Sequence, residues 1–184
     1  MTHILKPITE PFDKEVETLL KAFPRQDGYL LSLFRVFANS ARFLKKGVLN
    51  LLDKQSPLDL RIREIIILRV TGKCACHYEW GVHAAVFSKH ARLTQEQLYQ
   101  TVLGSPHEDC WDEKEQRLLE VIDALLDRGK LSTTLLQKFR EQWRVEQQLE
   151  IFALCGNYQT ISYVANSAEL NEEAFGFPFP KPCL

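Results

Sequence analysis

The segment CHYEWGVH, residues 76–83, carries three side chains that can exchange protons. Cys76 provides a thiol, Glu79 a carboxyl group and His83 an imidazole. Because an α-helix turns by about 100° per residue, spacings of three and four positions bring all three groups to one helix face. An imidazole can take a proton from a thiol or carboxyl group or pass one to it, so this face is suited to thiol or acid–base chemistry.

Two interpretations of this helix face stay open. A thiol near the start of a helix gains thiolate character from the unsatisfied amides there, which predicts a reactive Cys76. A cysteine and a histidine on an amphipathic helix face also occur as packed core residues, and this is the alternative. Cys74 is predicted to precede the helix and to lie off the face.

Metal binding is a further chemistry that this neighbourhood suggests. The candidate ligands are Cys74, Cys76, His77, Glu79, His83 and His90. However, Cys-x-Cys is not the usual Cys-x2-Cys spacing of a structural zinc site, and no second pair of ligands follows it. We therefore expect neither a metal nor another cofactor.

Glu64 directly precedes the apolar run of residues 65–68, which predicts a helix buried on most sides. Its carboxyl group is expected to be paired, hydrogen-bonded or raised in pKa, because a partly dry carboxylate is costly. An ion pair with Arg61 or Arg63 is the simplest arrangement. Arg61, Arg63 and Arg69 are also candidates for binding an anionic substrate, although surface ion pairs explain each of them equally well.

Helical periodicity dominates the chain, and no alternating strand pattern is evident. We predict an all-α fold with helices over 12–23, 28–53 (broken near Asn39 and Ser40), Ser56 to Gly72, 76–91, a short stretch opened by a capping box at Thr94, 112–127, 132–143 and 146–167. The predicted organisation is a single domain. It comprises a helical arm (1–30), a helical bundle (31–173) and an extended proline-rich tail (174–184), whose phenylalanines are expected to pack on the body or on a second subunit.

The composition excludes several classes of protein. The 184 residues include 23 basic and 24 acidic ones, which argues against nucleic-acid binding. No segment reaches the apolar length of a membrane span or a signal peptide, so we expect a cytoplasmic protein with no membrane contact. Five scattered cysteines do not predict a disulfide framework.

The segments RIREIIILRV (61–70) and CHYEWGVH (76–83) resemble the carboxymuconolactone decarboxylase family, which includes alkylhydroperoxidase D. The similarity extends from about Leu33 to Glu173. It implies a helical bundle of the alkylhydroperoxidase D-like type that assembles into a homo-oligomer. Because the family contains several chemistries, the fold alone does not decide the activity.

The peroxidase branch of the family implies a proton relay of Glu, Cys, Cys and His. Its Glu position falls on Glu64, its first Cys on Cys76 and its His on His83. The chain departs from the family at the second Cys, which falls on Glu79. Cys74 is the candidate resolving thiol in its place.

Three hypotheses follow. The preferred one is an antioxidant enzyme that reduces small hydroperoxides through Cys76, with Glu64 and His83 as the proton relay and a small thiol as the reductant. The second is a cofactor-free lyase in which Glu79 and His83 act on a small carboxylated lactone. The third is a non-catalytic oligomeric scaffold.

Overall fold

Nine α-helices lie within residues 4–181, the part of the chain that the computed structural model describes. They are α1 Lys14–Leu20, α2 Ser32–Phe37, α3 Ala41–Lys46, α4 Leu60–Lys73, α5 His77–Phe87, α6 Gln95–Leu103, α7 Glu113–Arg128, α8 Thr133–Gln142 and α9 Val145–Ser167. An antiparallel pair, β1 Arg25–Gln26 and β2 Tyr29–Leu30, joins α1 to α2. The all-α prediction is confirmed, and this small sheet is the strand pairing that it missed.

Helix α4 is central because its middle, residues 65–68, is apolar on every side. The side chains of residues 65–68 are fully buried, and the helix packs against α5, α6, α7 and α9. The prediction of a buried helix here is confirmed. As a consequence, any polar group carried on α4 must find its partners inside the protein.

The start of α4 differs from the prediction. The Asp59 side chain accepts a hydrogen bond from the Ile62 amide at 2.9 Å, so the helix begins at Leu60 rather than at Ser56–Pro57. The Ser56 hydroxyl instead donates to Glu150 and accepts from the Leu58 amide, which builds a turn.

The end of α4 also differs from the prediction, because Gly72 lies inside the helix. A Cβ atom on Gly72 would lie 2.8 Å from the carbonyl oxygen of Thr101, so glycine is what lets α6 pack this closely against α4. The left-handed residue after the helix is Ala75, with φ of 47°. It separates Cys74 from Cys76.

The predicted helical segment over residues 28–53 forms two short helices, α2 and α3, and is not helical after Lys46. Ser40 caps α3 by accepting from the Phe43 amide, so the predicted break near Asn39 and Ser40 is confirmed. No helix follows between α3 and α4, because the Asn50 and Asp53 side chains accept from backbone amides two residues further on. Such local hydrogen bonds compete with a helix.

The chain after α9 runs across α5. The Phe177 amide donates to the Gly81 carbonyl at 2.9 Å, and a Cβ on Gly81 would lie 2.8 Å from the Phe177 oxygen. The rings of Phe177 and Phe179 pack against Trp80, and Phe179 also stacks on His77. These phenylalanines therefore pack on the body of the same chain, which was one of the two predicted arrangements.

Tyr78 links three parts of the fold. Its hydroxyl donates to the Glu173 carboxylate at 2.5 Å and accepts from the Leu33 amide at 3.2 Å. The Ser32 amide donates to the same carboxylate. The first turn of α5 is thus joined to α2 and to the C-terminal segment.

Within residues 4–181, no helix combines the length and apolarity that crossing a membrane requires.

Candidate active site

His83 lies between two carboxylates in the interior. Its Nδ1 is 2.8 Å from Glu64 Oε2, and its Nε2 is 3.4 Å from Glu79 Oε1. Helix α4 supplies Glu64, while α5 places Glu79 and His83 one turn apart on the same face. The prediction that Glu79 and His83 share a face is confirmed by their contact.

The hydroxyl of Tyr158 completes this cluster from α9. It lies 3.2 Å from His83 Nε2, and the two rings meet edge to face. The four side chains of Glu64, Glu79, His83 and Tyr158 are all buried. The cluster therefore combines two carboxyl groups, an imidazole and a phenol away from bulk water.

The carboxylates decide the charge of His83. Burial lowers the pKa of its imidazole, but Glu64 and Glu79 outweigh burial and raise the pKa to about 10. His83 is consequently an imidazolium at neutral pH, with a proton on each nitrogen. The pKa of Tyr158 is raised by burial and by the charges of Glu79 and Glu64, so its hydroxyl keeps its proton.

The thiols of Cys74 and Cys76 lie beside this cluster. Cys76 is the residue before α5, and the backbone amide of Glu79 in the first turn of that helix acts to lower the pKa of its thiol. Ser162 on α9 acts to lower the pKa of both thiols, and its hydroxyl donates to the Tyr158 carbonyl at 2.7 Å. Cys74 is the residue directly after α4 and is half-buried. It precedes α5, as predicted.

The surroundings of Cys76 oppose the thiolate character predicted from its place at the start of a helix. The side chain is 0% exposed, and burial raises its pKa to about 11, with a further increase from the Glu79 charge. The Glu79 amide acts in the opposite direction but is outweighed. Cys76 is a neutral thiol at neutral pH, so any reaction at its sulfur must include removal of this proton.

Glu64 is paired as predicted, but its partner is His83 and neither of the neighbouring arginines. Arg61 binds Glu115 at 2.6 Å and donates to the carbonyls of Ala91 and Arg92. The contacts of Arg61 thus lie outside the histidine cluster.

Arg69 is fully buried and also has partners elsewhere. It forms two hydrogen bonds with Asp123 and donates to the carbonyls of Gln100, Thr101 and Gly104. Its guanidinium therefore joins α4 to α6 and α7, which is a structural role.

Arg63 is the arginine of the three that approaches the site. It donates to the carbonyls of Leu51 and Asp53, and its charge lowers the pKa of Tyr158. It remains a candidate for contact with a bound molecule.

Two solved structures share the fold. An uncharacterized peroxidase-related protein from Silicibacter sp. TM1040 superposes with a TM-score of 0.75 at 15% identity, covering 95% of this chain and 96% of that chain. A protein of unknown function from Agrobacterium tumefaciens, proposed as an antioxidant defence protein AhpD, superposes with a TM-score of 0.58 at 18% identity, covering 66% and 83%. The chain has an AhpD-like fold.

The resemblance to the carboxymuconolactone decarboxylase and alkylhydroperoxidase D-like family is thereby confirmed for the fold. No protein-family model and no curated protein sequence matches the chain. At these identities the AhpD-like fold fixes the arrangement of the helices, while the chemistry has to be argued from the site itself.

Two residues of this site were not predicted from the sequence. Tyr158 and Ser162 lie on α9, and Tyr158 is 75 positions from His83 along the chain. Their spacing of four residues on one helix face was visible, but it gave no reason to connect them with α5. Tertiary packing alone brings them to the site.

The described residues contain no group of three or more His, Cys, Asp or Glu side chains arranged to hold a metal ion. The site instead offers a thiol, an adjacent carboxylate and a protonated imidazole. These are the groups required for a reaction in which a thiol loses a proton and a leaving oxygen gains one.

Proposed function

We propose that the chain is a thiol peroxidase that reduces small hydroperoxides at Cys76. The observation that carries the proposal is the position of Glu79 between the thiol and the imidazole. Its amide and its charge both act on the Cys76 thiol, and its Oε1 lies 3.4 Å from His83 Nε2. The likeness to a peroxidase-related protein and to a proposed antioxidant protein supports the same chemistry.

The first step oxidises the sulfur. The Glu79 carboxylate takes the proton of the Cys76 thiol as the sulfur attacks the terminal oxygen of the hydroperoxide. The O–O bond breaks, Cys76 becomes a sulfenic acid, and the leaving alkoxide takes a proton from His83 to become an alcohol. Protonated Glu79 then returns a proton to His83, and Glu64 holds the imidazole in place throughout.

The second step resolves the sulfenic acid. The Cys74 thiol attacks the Cys76 sulfur, an S–S bond forms and water leaves. A single residue, Ala75, separates the two cysteines, and its left-handed conformation bends the chain between them. A small dithiol then reduces the disulfide by thiol–disulfide exchange and is itself oxidised.

Peroxide consumption with a dithiol reductant tests the proposal. We expect Cys76→Ser to abolish turnover and Glu79→Gln to reduce it about 100-fold, because the proton acceptor is lost. Cys110→Ser is the matched control, since Cys110 is a half-buried free cysteine away from the site. Undiminished turnover in Cys76→Ser would refute the proposal.

A cofactor-free lyase is the second candidate, favoured by the neutral, buried state of Cys76. Glu79, His83 and Tyr158 form an acid–base cluster that does not require the thiol. In this reaction His83 protonates the conjugated acceptor of a small carboxylated lactone as carbon dioxide leaves. Release of carbon dioxide that persists in Cys76→Ser and is lost in Glu79→Gln identifies this alternative.

A further inference from the structure

The histidine cluster contains hydrogen-bonding atoms that the protein leaves unused. Glu64 is 1% exposed, and one of its oxygens, Oε2, binds His83. Its other oxygen, Oε1, is buried and has no hydrogen-bond partner among the described residues. A buried acceptor without a donor is costly, which points to a bound group that supplies one.

The hydroxyl proton of Tyr158 is the complementary unused group. His83 has a carboxylate near each nitrogen, at 2.8 Å and 3.4 Å, so both nitrogens carry protons and donate. When both ring nitrogens of His83 are protonated, Nε2 donates to the Tyr158 oxygen, which lies 3.2 Å away. Its own proton has no acceptor within residues 4–181 and is free to donate to a bound molecule.

The charges nearby select against an anion. The carboxylates of Glu64 and Glu79 are balanced by His83 and by Arg63, whose charge reaches Tyr158. The cluster therefore has no surplus positive charge. A carboxylate placed here would face Glu64 Oε1 with no proton to offer, whereas a hydroxyl or hydroperoxyl group both donates and accepts.

We propose that Tyr158 and Glu64 form a binding site for a neutral O–H group, which selects hydroperoxides and alcohols over carboxylates. The Tyr158 hydroxyl donates to the oxygen of the bound group, and Glu64 Oε1 accepts its proton. The role of this site in turnover rests on the proposed peroxidase function. The charge of Glu79 acts on both Cys76 and Tyr158, so the thiol and the binding site have this carboxylate as a common neighbour.

Three molecules of similar shape test the selectivity: tert-butyl hydroperoxide, tert-butanol and trimethylacetate. Binding is followed by the ¹⁵N resonances of the His83 ring, with wild-type protein for the alcohol and the carboxylate and Cys76→Ser protein for the hydroperoxide. We expect saturable shifts with the alcohol and the hydroperoxide at concentrations where trimethylacetate gives none. Equal or tighter binding of trimethylacetate, or no shift with any probe, would overturn the site.

Tyr158→Phe tests the donor while preserving the shape of the side chain. Loss of one hydrogen bond is expected to weaken the binding of tert-butanol about tenfold. Tyr163→Phe, an exposed tyrosine on the same helix, is the matched control and should bind as the wild type does. Unchanged binding in Tyr158→Phe would overturn the assignment. These binding results are independent of the peroxidase proposal, which fails if the wild type consumes no peroxide or if turnover is undiminished in Cys76→Ser.

Discussion

Burial and the charges of neighbouring side chains together decide the pKa of a buried cysteine or histidine in this protein. Cys76 and Cys155 are both buried, and burial raises the pKa of their thiols to about 11 and about 12. His83 is equally buried, yet its pKa rises because two carboxylates face it. The same dry interior thus keeps the thiols neutral and the imidazole charged.

Replacement of His83 by Gln should change how stability depends on pH. The pKa of His83 is about 10 in the folded protein and about 6.5 when unfolded, so its contribution is fully present below pH 6.5 and is lost as pH rises toward 10. In urea unfolding, the wild type should lose on the order of 2 kcal/mol more than His83→Gln between pH 6.5 and 9.5. If the free energies of unfolding of the wild type and of His83→Gln change in parallel with pH, His83 is not held as an imidazolium.

Alkylation of the native protein should distinguish the cysteines by their exposure. Cys74 and Cys110 are half-buried, whereas Cys76 and Cys155 are buried and have strongly raised pKa values. Peptide mass spectrometry after iodoacetamide treatment at pH 8 should find Cys74 and Cys110 modified well before the other two. Rapid modification of Cys76 would mean that its thiol opens to solvent without a substrate. Cys183 lies outside the described residues, and the expectation does not extend to it.

At the scale of the helices, the close packing of one helix on another depends on glycine, which has no side chain. Gly72 lets α6 contact α4, and a Cβ there would lie 2.8 Å from the Thr101 oxygen and 3.2 Å from Val102. We expect Gly72→Ala to lower the free energy of unfolding by about 1–3 kcal/mol, because backbone must move. Gly156→Ala in α9, where a Cβ meets nothing within 4 Å, should instead raise it by about 0.5–1 kcal/mol. Urea unfolding of both variants checks the contrast.

The helices that the sequence predicted best are those whose ends are encoded locally. Thr94 and Gln97 form the predicted capping box, and Ser40 caps α3 within three residues. The errors occurred where a distant partner or a turn competes, as at Ser56, which binds Glu150 instead of starting α4.

The parts of the candidate site that lie within one helix could likewise be predicted from the sequence. The spacing of Glu79 and His83 within α5 predicted their contact, and the apolar run after Glu64 predicted a buried, paired carboxyl group. The identity of the partner of Glu64 and the presence of Tyr158 depend on how α4, α5 and α9 pack. No pattern within one helix contains that information.

For the whole molecule, the predicted homo-oligomer stays a prediction, and the surface suggests where to test it. Val145, Leu149 and Phe152 form an exposed apolar stripe along α9. The exposed Leu49 and Leu52 belong to the segment that runs beside this helix, where Asn157 bonds to the backbone of Leu49. Apolar surface of this kind is typical of subunit contacts.

Sedimentation analysis of Leu149→Glu tests this expectation. The wild type should sediment as a species larger than one 21.3 kDa chain, and the charged variant should shift toward the monomer. Lys89→Glu, at an exposed position beyond the end of α5, is the control and should keep the wild-type size. A monomeric wild type would contradict the prediction.

The packing of the C-terminal segment on α5 has a consequence for the order of folding. The helix that carries Glu79 and His83 acquires its contacts with Phe177 and Phe179 only after about one hundred further residues have been synthesised. Contacts of such long sequence separation form late, because the intervening chain must first be ordered. A nascent chain released from the ribosome before Phe177 would therefore expose Trp80 and leave the Gly81 carbonyl without its hydrogen-bond donor. It should be a substrate for chaperones and proteases rather than a stably folded protein.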